Sequence, residues 1–421
     1  MRYRYCAPMA GIVLAVWLVD LGFAEAQTIP AHPTELSYDP LDFTPPTSAE
    51  HRYELSNGVV VFVVEDHELP LVSVSLLVRT GSYLDPADKV GLASLTGSQM
   101  RAGGTTSMSA ADFDEQAAFL AAQIGSSIGG TSGGANLGCL TKDLQVCLDL
   151  FFDMLQNPGF DADRLALAKS QSIQQMQRRN DATRGIEGRE FGRLMRGSEH
   201  FSTSPRTRAT VEAITRDDML AFHRRYYHPG NFILAVSGDV DTEMMLSELE
   251  RRLDGWTVVS DPVPTVPRPE FTPEPGLYLV DKPEVNQGRV SLGHLGTTRA
   301  DPDRYKLLVM NDILGGGGFS ARLLTRVRSD EGLAYSASSS FGVGVYYPGV
   351  FQAGFQSRSE TVARATAIVL EEIDRIRTEP VQEEELRNSI GYFVETFSRN
   401  FSSAGSTAGL FANDEYTGRD P

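Results

Sequence analysis

Residues 91–100 (GLASLTGSQM) place small and hydroxyl side chains at the spacing by which one helix can hold a metal ion. Ser94 and Ser98 are four residues apart and therefore share one helical face. Two histidines at this spacing can both reach one Zn²⁺, whereas a neutral serine hydroxyl is a poor zinc ligand. A zinc-activated water is therefore not expected here.

Other residues with possible chemistry form weaker patterns. Residues 315–318 are four consecutive glycines, but no Gly-Lys-Ser/Thr follows them, so close backbone packing or substrate access is a better interpretation than phosphate binding. His223 and His228 are five residues apart on different predicted elements, and a shared metal is not predicted. The other histidines stand alone, with surface or core positions as the default: His32, His51, His67, His200 and His294.

The N-terminal 26 residues are typical of a secretory signal peptide. Arg2 and Arg4 precede an apolar stretch over residues 10–23, and Ala24-Glu25-Ala26 fits a cleavage site. A membrane anchor is the alternative, but the stretch is short for a span and contains Asp20. No other segment could cross a bilayer. We therefore expect a periplasmic protein that has no membrane span after cleavage.

Charge and cysteine content narrow the possible partners and the covalent structure. The chain has 421 residues and a formal net charge of −17, and an acidic surface argues against nucleic acid and anionic membranes as partners. Cys6 would leave with the signal peptide, which leaves Cys139 and Cys147. An oxidising compartment permits a disulfide between them, and two separate buried thiols explain the same positions at least as well.

The predicted secondary-structure elements occur in a similar order in the two halves of the chain. Two β-rich runs within residues 52–65 are broken at Asn57-Gly58, which is a hairpin signal. A helix capped by Ser109 carries an apolar stripe that runs as far as Ile124. The other elements predicted in the first half are strands at 72–79, 126–140 and 231–238, and helices at 88–101, 142–156, 161–180 and 216–227.

Residues 261–276 contain six prolines and are predicted to be an extended linker. After it we predict strands at 277–280, 288–295, 336–345 and 350–357, and helices at 303–314, 361–378 and 383–400. The predicted fold class is α+β, with two related domains of mixed sheet and packed helices. The predicted boundaries are a signal peptide at 1–26, an N-terminal extension at 27–49, a first domain at 50–258, a linker at 259–276 and a second domain at 277–421.

Short motifs in both halves together resemble one family. The first half contains YHPGN at residues 227–231 and GDV at 238–240, similar to a Y-x-P-x-N…G-D-v run. The second half contains LGG at 314–316, RL at 322–323 and GLAY at 332–335, similar to an L-G-G…R-L…L-a-Y run. The two runs in this order together resemble the pitrilysin/insulinase-type (M16) zinc peptidases.

The resemblance covers nearly all of residues 50–420. It also places the predicted helix at residues 88–101 where the family has its zinc-binding helix. The family signature is H-x-x-E-H with a further Glu downstream. Its ligands would fall on Ser94, Ser98 and Gln175, and its catalytic Glu on Gly97. The resemblance therefore implies a degenerate zinc site and no cofactor bound by this chain. An ordinary buried helix over residues 88–101 is the alternative.

Arg328 and Tyr335 have the seven-residue spacing of the family's Arg/Tyr pair. In the family this pair reaches the zinc site of the opposite half or subunit, holds the substrate backbone and helps to stabilise the oxyanion; an exposed arginine and a core tyrosine are the alternative. The resemblance implies a non-catalytic subunit that shares a peptide chamber with a catalytic M16 partner, which would bind the zinc through an intact H-x-x-E-H. A pseudo-peptidase that acts only in binding or as a scaffold is the second hypothesis.

Residues 413–421 are polar and end where the family continues into a further helix and a closing strand. If the chain is incomplete at this point, we expect the second domain to carry an unpaired sheet edge or an exposed apolar face.

Overall fold

The computed structural model describes residues 43–419 together with His32 and Leu36. The predicted signal peptide at 1–26 and most of the predicted extension at 27–49 lie outside these residues. From Thr44 onward the chain forms one compact unit. That unit combines helices with mixed and antiparallel sheets, which confirms the predicted α+β class. None of the described helices combines the length and the apolar character needed to cross a bilayer.

Six strands of the N-terminal half form one mixed sheet. Its order is β1-β2-β6-β3-β5-β4, in which β2 and β6 are parallel and every other neighbouring pair is antiparallel. The predicted hairpin is present: β1 and β2 pair antiparallel, and Gly58 in the turn between them adopts φ +82°. The strands are β1 (Arg52–Glu54), β2 (Val60–Glu65), β3 (Leu71–Val78), β4 (Gln123–Ile128), β5 (Gly133–Leu140) and β6 (Phe232–Gly238).

The N-terminal half contains more helices than the sequence predicted. Four of them match predicted segments with shifted ends, and a fifth begins at its predicted cap, Ser109, but stops at Phe119. The prediction that this helix reaches Ile124 is wrong, because Ala121 has φ +49° and Ile124 already lies in β4. The helices are α1 (Leu92–Ala102), α2 (Ala110–Phe119), α3 (Leu144–Gln156), α4 (Ala162–Gln177), α5 (Thr183–Arg196), α6 (Arg208–Ala213), α7 (Arg216–Tyr226) and α8 (Thr242–Leu253).

The C-terminal half is built on an antiparallel sheet of order β7-β11-β9 and a short parallel pair, β8 with β10. Among the described residues, β7 pairs with β11 along one edge only. The strands are β7 (Gln287–Leu295), β8 (Thr297–Thr298), β9 (Ala334–Phe341), β10 (Val343–Gly344) and β11 (Val350–Arg358). The helices are α9 (Arg304–Asn311), α10 (Arg322–Leu324), α11 (Val362–Thr378), α12 (Glu383–Phe397) and α13 (Ala404–Thr417).

The segment between the two halves has no regular structure. No helix or strand lies between Leu253 and Gln287, and the prolines of residues 261–276 explain this for the middle part of the segment. The predicted strand at 277–280 is wrong: Leu277 and Leu279 are exposed, and no described strand lies beside them to supply hydrogen-bond partners. The domain boundaries themselves stay a prediction.

Each half places one helix on the sheet of the other half. From the N-terminal half, α5 packs on β7, where Arg289 and Ser291 both donate hydrogen bonds to the carboxylate of Glu187. The ring of Phe191 lies over Gly293, where a Cβ atom would come within 2.6 Å of the ring. Glycine at 293 therefore lets α5 approach the strand closely.

From the C-terminal half, α13 packs on β2, β3 and β6 of the larger sheet. Phe411 is buried against Phe62, Ile233 and Ala235. Because side chains alternate along a strand, the other residues of β6 point into the main core on the opposite face. The run FILAV at residues 232–236 is apolar without interruption because helices cover both faces of the strand.

We expect Phe411→Ala to lower the free energy of unfolding by about 3–5 kcal/mol, because it removes a buried ring and leaves a cavity under α13. Phe119→Ala is the matched control: Phe119 is the same residue type in a helix but is largely exposed, so a change within about 0.5 kcal/mol is expected. Urea unfolding of both variants measures the difference. Equal unfolding midpoints for the two variants would mean that α13 does not cover the sheet.

Candidate functional site

The first turn of α1 is capped by a side chain from outside the helix. The Asp85 carboxylate accepts hydrogen bonds from the backbone N–H groups of Gly91 and Ala93, at 2.8 and 2.7 Å. Gly91 has φ +109°, which favours glycine. Because of these contacts the helix begins at Leu92, whereas the sequence predicted that it begins at residue 88. Burial raises the pKa of Asp85, and the two N–H groups and the charge of Arg206 act in the opposite direction.

The two serines that replace the expected metal ligands lie on one face of α1. Ser94 is half-buried, and its Oγ accepts a hydrogen bond of 2.7 Å from Nη2 of Arg206. Ser98 is exposed, and its hydroxyl donates to the carbonyl of Leu95 in its own helix. Gln175 is exposed on α4, which packs against α1. The four positions at which the resemblance predicts a degenerate zinc site thus lie on two helices in contact.

Gly97 is where α1 meets the edge strand β4. Ser126 of β4 donates a hydrogen bond of 2.6 Å to the carbonyl of Gly97. A Cβ atom at residue 97 would lie 2.7 Å from the carbonyl carbon of Ser127 and closer still to the backbone nitrogen of Ile128. The strand backbone therefore fills the space in which a catalytic Glu at position 97 would begin.

This set of side chains does not fit a zinc ion. Two hydroxyls and a neutral amide are weak donors for Zn²⁺, which prefers thiolate, imidazole and carboxylate ligands. The guanidinium of Arg206 adds a positive charge at Ser94, which opposes a cation there. Across the described residues, no group of three or more His, Cys, Asp and Glu side chains is placed to hold a metal ion.

Arg328 and Tyr335 lie together on the surface of the C-terminal half. The guanidinium carbon of Arg328 is 4.8 Å from the centre of the Tyr335 ring and 5.2 Å from the centre of the Phe319 ring. Both rings are exposed, Tyr335 to 83% and Phe319 to 80%. An arginine between two aromatic faces is held by cation–π attraction. The alternative of a core tyrosine is therefore excluded.

A β-bulge explains why Tyr335 faces solvent. The pairing of β9 with β11 shifts register between Phe355 and Ser357, so β9 contains one extra residue at this point. Ala337 and Ser339 of the same strand are buried, and strict alternation would have buried Tyr335 with them. Bulges commonly re-aim a side chain in this way next to active sites.

The Arg328 side chain borders an open groove of about 510 Å³. Within the described part of the chain, no carboxylate pairs with Arg328 and no acceptor binds the hydroxyl of Tyr335. Free donors beside a groove can bind carbonyl or carboxylate oxygens of a ligand. The groove is lined by Gln287, Arg328, Gly332, Leu333, Ala334, Tyr335, Ser336, Gln356, Ser357 and Arg358.

Two irregular helical turns present this surface. π-helical turns at Asp312–Gly316 and Thr325–Asp330 follow α9 and α10, and the second carries Arg328. π-turns often occur at functional sites. Of the two roles predicted for the glycine run at 315–318, close packing holds at Gly315, where a Cβ atom would lie 2.5 Å from the backbone nitrogen of Ser339, whereas a Cβ atom at Gly318 would meet nothing within 4 Å.

Sequence reasoning missed two residues of these surfaces. Phe319 follows the glycine run directly, and an aromatic residue beside a glycine-rich loop was the available signal. Arg206 lies in an irregular segment more than one hundred residues from Ser94, and no sequence signal connects them. Among the described residues, no hydrogen bond or ring contact joins the α1 positions to Arg328 or Tyr335.

His223 and His228 each lie within hydrogen-bonding distance of another protein group. Both are buried. Nε2 of His223 lies 2.8 Å from the carbonyl oxygen of Leu155, and burial lowers the pKa of this histidine to about 4. His228 Nε2 lies 3.1 Å from the side-chain amide of Asn231.

Two family sequence profiles match the chain in succession. Residues 60–187 match the profile described as insulinase (peptidase family M16), and residues 213–390 match the profile described as peptidase M16 inactive domain. The two together account for most of the compact unit, including α1, α4, Arg328 and Tyr335.

The chain is also similar to individual proteins named as zinc proteases or as M16 domains. An uncharacterized zinc protease of Streptomyces coelicolor is 26% identical over 257 residues, which is 60% of this chain and 56% of that protein. The uncharacterized zinc protease YmxG of Bacillus subtilis is 24% identical over 346 residues, which is 80% of this chain and 81% of that protein. The crystal structure of a peptidase M16 inactive domain from Pseudomonas fluorescens superposes with a TM-score of 0.77 at 23% identity over 88% of each chain.

We expect that Ser94→His, Ser98→His and Gln175→Glu together leave the protein folded, whereas adding Gly97→Glu destabilises it. A side chain at residue 97 must displace β4, and overpacking of this kind typically costs about 1–3 kcal/mol. Neither variant should bind zinc tightly, because no partners are in place to orient the new ligands.

Thermal unfolding measures the stability of each variant, and plasma mass spectrometry of the dialysed proteins measures the zinc that they bind. Gly188→Glu is the matched control, because Gly188 is also within a helix but a Cβ atom there meets nothing within 4 Å. An unfolding temperature for Gly97→Glu equal to that of Gly188→Glu would contradict the close packing of β4 on α1.

Proposed function

We propose that this chain, which belongs to the insulinase-type (M16) peptidase family, is the non-catalytic subunit of a heterodimeric zinc peptidase in the periplasm. Its partner would be a related chain with an intact H-x-x-E-H helix, and its substrates would be peptides. The observation that carries the proposal is the exposed stack of Arg328 and Tyr335 on a chain whose α1 lacks zinc ligands. The periplasmic location rests on the signal peptide predicted at residues 1–26.

In the proposed complex, Arg328 and Tyr335 act on the oxygen of the substrate carbonyl. The zinc of the partner would activate the water that attacks this carbonyl. The guanidinium and the phenol are both free to donate hydrogen bonds to it. These bonds strengthen as negative charge develops on the oxygen, so they favour the transition state. Phe319 contacts the same guanidinium and helps to hold its orientation.

We expect the purified mature chain to bind no stoichiometric zinc and to cleave no unstructured peptide by itself. The reason is the set of Ser94, Gly97, Ser98 and Gln175, which provides neither metal ligands nor a base. Plasma mass spectrometry and a fluorogenic peptide assay test this. One tightly held zinc per chain, lost together with activity on treatment with a chelator, would refute the proposal.

In the complex with a catalytic partner, we expect Tyr335→Phe to lower kcat by roughly tenfold or more, because loss of one oxyanion donor typically costs about 10²–10³ in rate. Arg328→Ala should also raise KM if the guanidinium holds the substrate before reaction. The measurement is peptide hydrolysis per assembled dimer, with assembly quantified by size-exclusion chromatography. The partner is a homologue with an intact H-x-x-E-H from the same genome, co-expressed with this chain.

Arg304 and Tyr305 provide a matched control pair. Arg304 lies 4.3 Å from the centre of the Tyr305 ring, and Tyr305 is also exposed. Tyr305→Phe thus removes the same hydroxyl from the same kind of stack on α9, outside the groove that Arg328 borders. Its kcat should equal that of the wild-type complex. If Tyr335→Phe and Arg328→Ala behave in the same way as this control, the Arg/Tyr pair has no part in turnover.

The second hypothesis, a pseudo-peptidase that acts only as a binding or scaffold protein, predicts a different result from the same variants. In that case Arg328→Ala and Tyr335→Phe change the stability of a complex or the affinity for a bound peptide, with no enzymatic activity to alter. The free donors beside the groove fit either hypothesis. Within the second hypothesis they favour a binding role over a pure scaffold, because a scaffold gains nothing from two donors aimed at solvent.

A further inference from the structure

We propose that Cys139 and Cys147 form a disulfide that joins β5 to α3 when the chain folds in an oxidising compartment. Both cysteines are free thiols in the structure, and both belong to the main core of the N-terminal half. Such a bond would be a covalent modification of the scaffold and does not depend on the proposed peptidase role.

The fold brings the two thiols together. Buried residues alternate along β5, so Cys139 shares with Ala135 and Leu137 the face that is turned toward the core. Cys147 lies in the first turn of α3, which packs on β5 and is connected to it by the short turn Thr141–Asp143. Each thiol lies close enough to affect the pKa of the other, although burial has the larger effect on both.

The oxidation balances as an exchange with an external disulfide. A thiolate of one cysteine attacks the external disulfide and forms a mixed disulfide, and the second cysteine then displaces the remaining external thiol. The two cysteines lose two protons and two electrons in total, and the external disulfide is reduced to two thiols. Oxidised glutathione supplies this disulfide in the test described below.

Burial decides when this exchange can take place. It raises the pKa of Cys139 to about 12 and also raises the pKa of Cys147. The thiolate is the attacking species, so the folded protein reacts slowly and the unfolded chain reacts at the rate of ordinary cysteines. The bond should therefore form during folding, before α3 closes over β5.

The test uses the mature chain, residues 27–421, which contains no cysteine other than these two. The unfolded protein is refolded in a buffer of oxidised and reduced glutathione, alkylated, and digested with trypsin without reduction. Lys142 is the only basic residue between Cys139 and Cys147, so cleavage after it places the two cysteines in separate peptides, residues 102–142 and 143–164. We expect one linked peptide pair whose mass is lower than the sum of the two by two hydrogens.

Rates and variants provide the controls. Oxidation of the already folded, reduced protein should be slower than oxidation during refolding by about a hundredfold or more. Cys139→Ser and Cys147→Ser should each abolish the linked pair, and circular dichroism confirms that each variant folds. The disulfide form should also unfold at a higher temperature than the reduced form. Full alkylation of both cysteines after refolding, in a protein that is folded by circular dichroism, would overturn the proposal.

Discussion

The mutual covering of the two sheets is the constraint on which the rest of the molecule depends. Strand β6 is apolar on both faces, and without α13 its outward residues Ile233 and Ala235 would be exposed. In the same way, α5 covers β7, and the carboxylate of Glu187 on this helix accepts a hydrogen bond from Arg289 of the strand. Burial of apolar area is the main driving force for folding, so each half needs the other to complete its core. Helix α1 and the arginine–tyrosine surface therefore belong to one compact unit.

The positions at which the family signature has its zinc ligands and its catalytic Glu differ in how closely they are packed in this chain. At Ser94 and Ser98 the change is confined to side chains that are half-buried or exposed, so their surroundings leave room for other residues. At Gly97 the change is built into the backbone, because Ser126 hydrogen-bonds to its carbonyl and β4 lies against it. Close packing of this kind transmits any added volume to the strand. Residue 97 is thus a packing contact between α1 and β4.

The sequence predicted what depends on local patterns and failed where tertiary contacts decide. The Asn57-Gly58 hairpin, the Ser109 cap and the apolar strand at 231–238 all depend on local chemistry, and all are present. The helix α13 was not predicted because its burial comes from a sheet more than 160 residues away in sequence. The strand at 277–280 was wrongly predicted because apolar β-forming residues do not pair without a neighbour. The spacing of Arg328 and Tyr335 was visible in the sequence, but the bulge that exposes Tyr335 was not.

The surface around Arg328 is difficult to explain by folding alone. Exposed rings such as Phe319 and Tyr335 gain little from the hydrophobic effect, and an acidic chain offers many carboxylates with which an arginine could pair. Arg304 and Arg101 illustrate the ordinary arrangement: each lies over an aromatic ring and also bonds to an Asp residue, the first through a backbone carbonyl and the second through a carboxylate. Arg328 has the rings but no such acceptor. Aromatic and arginine side chains concentrated beside a groove are the composition of binding hot spots. Ligand binding therefore accounts for this arrangement better than stability does.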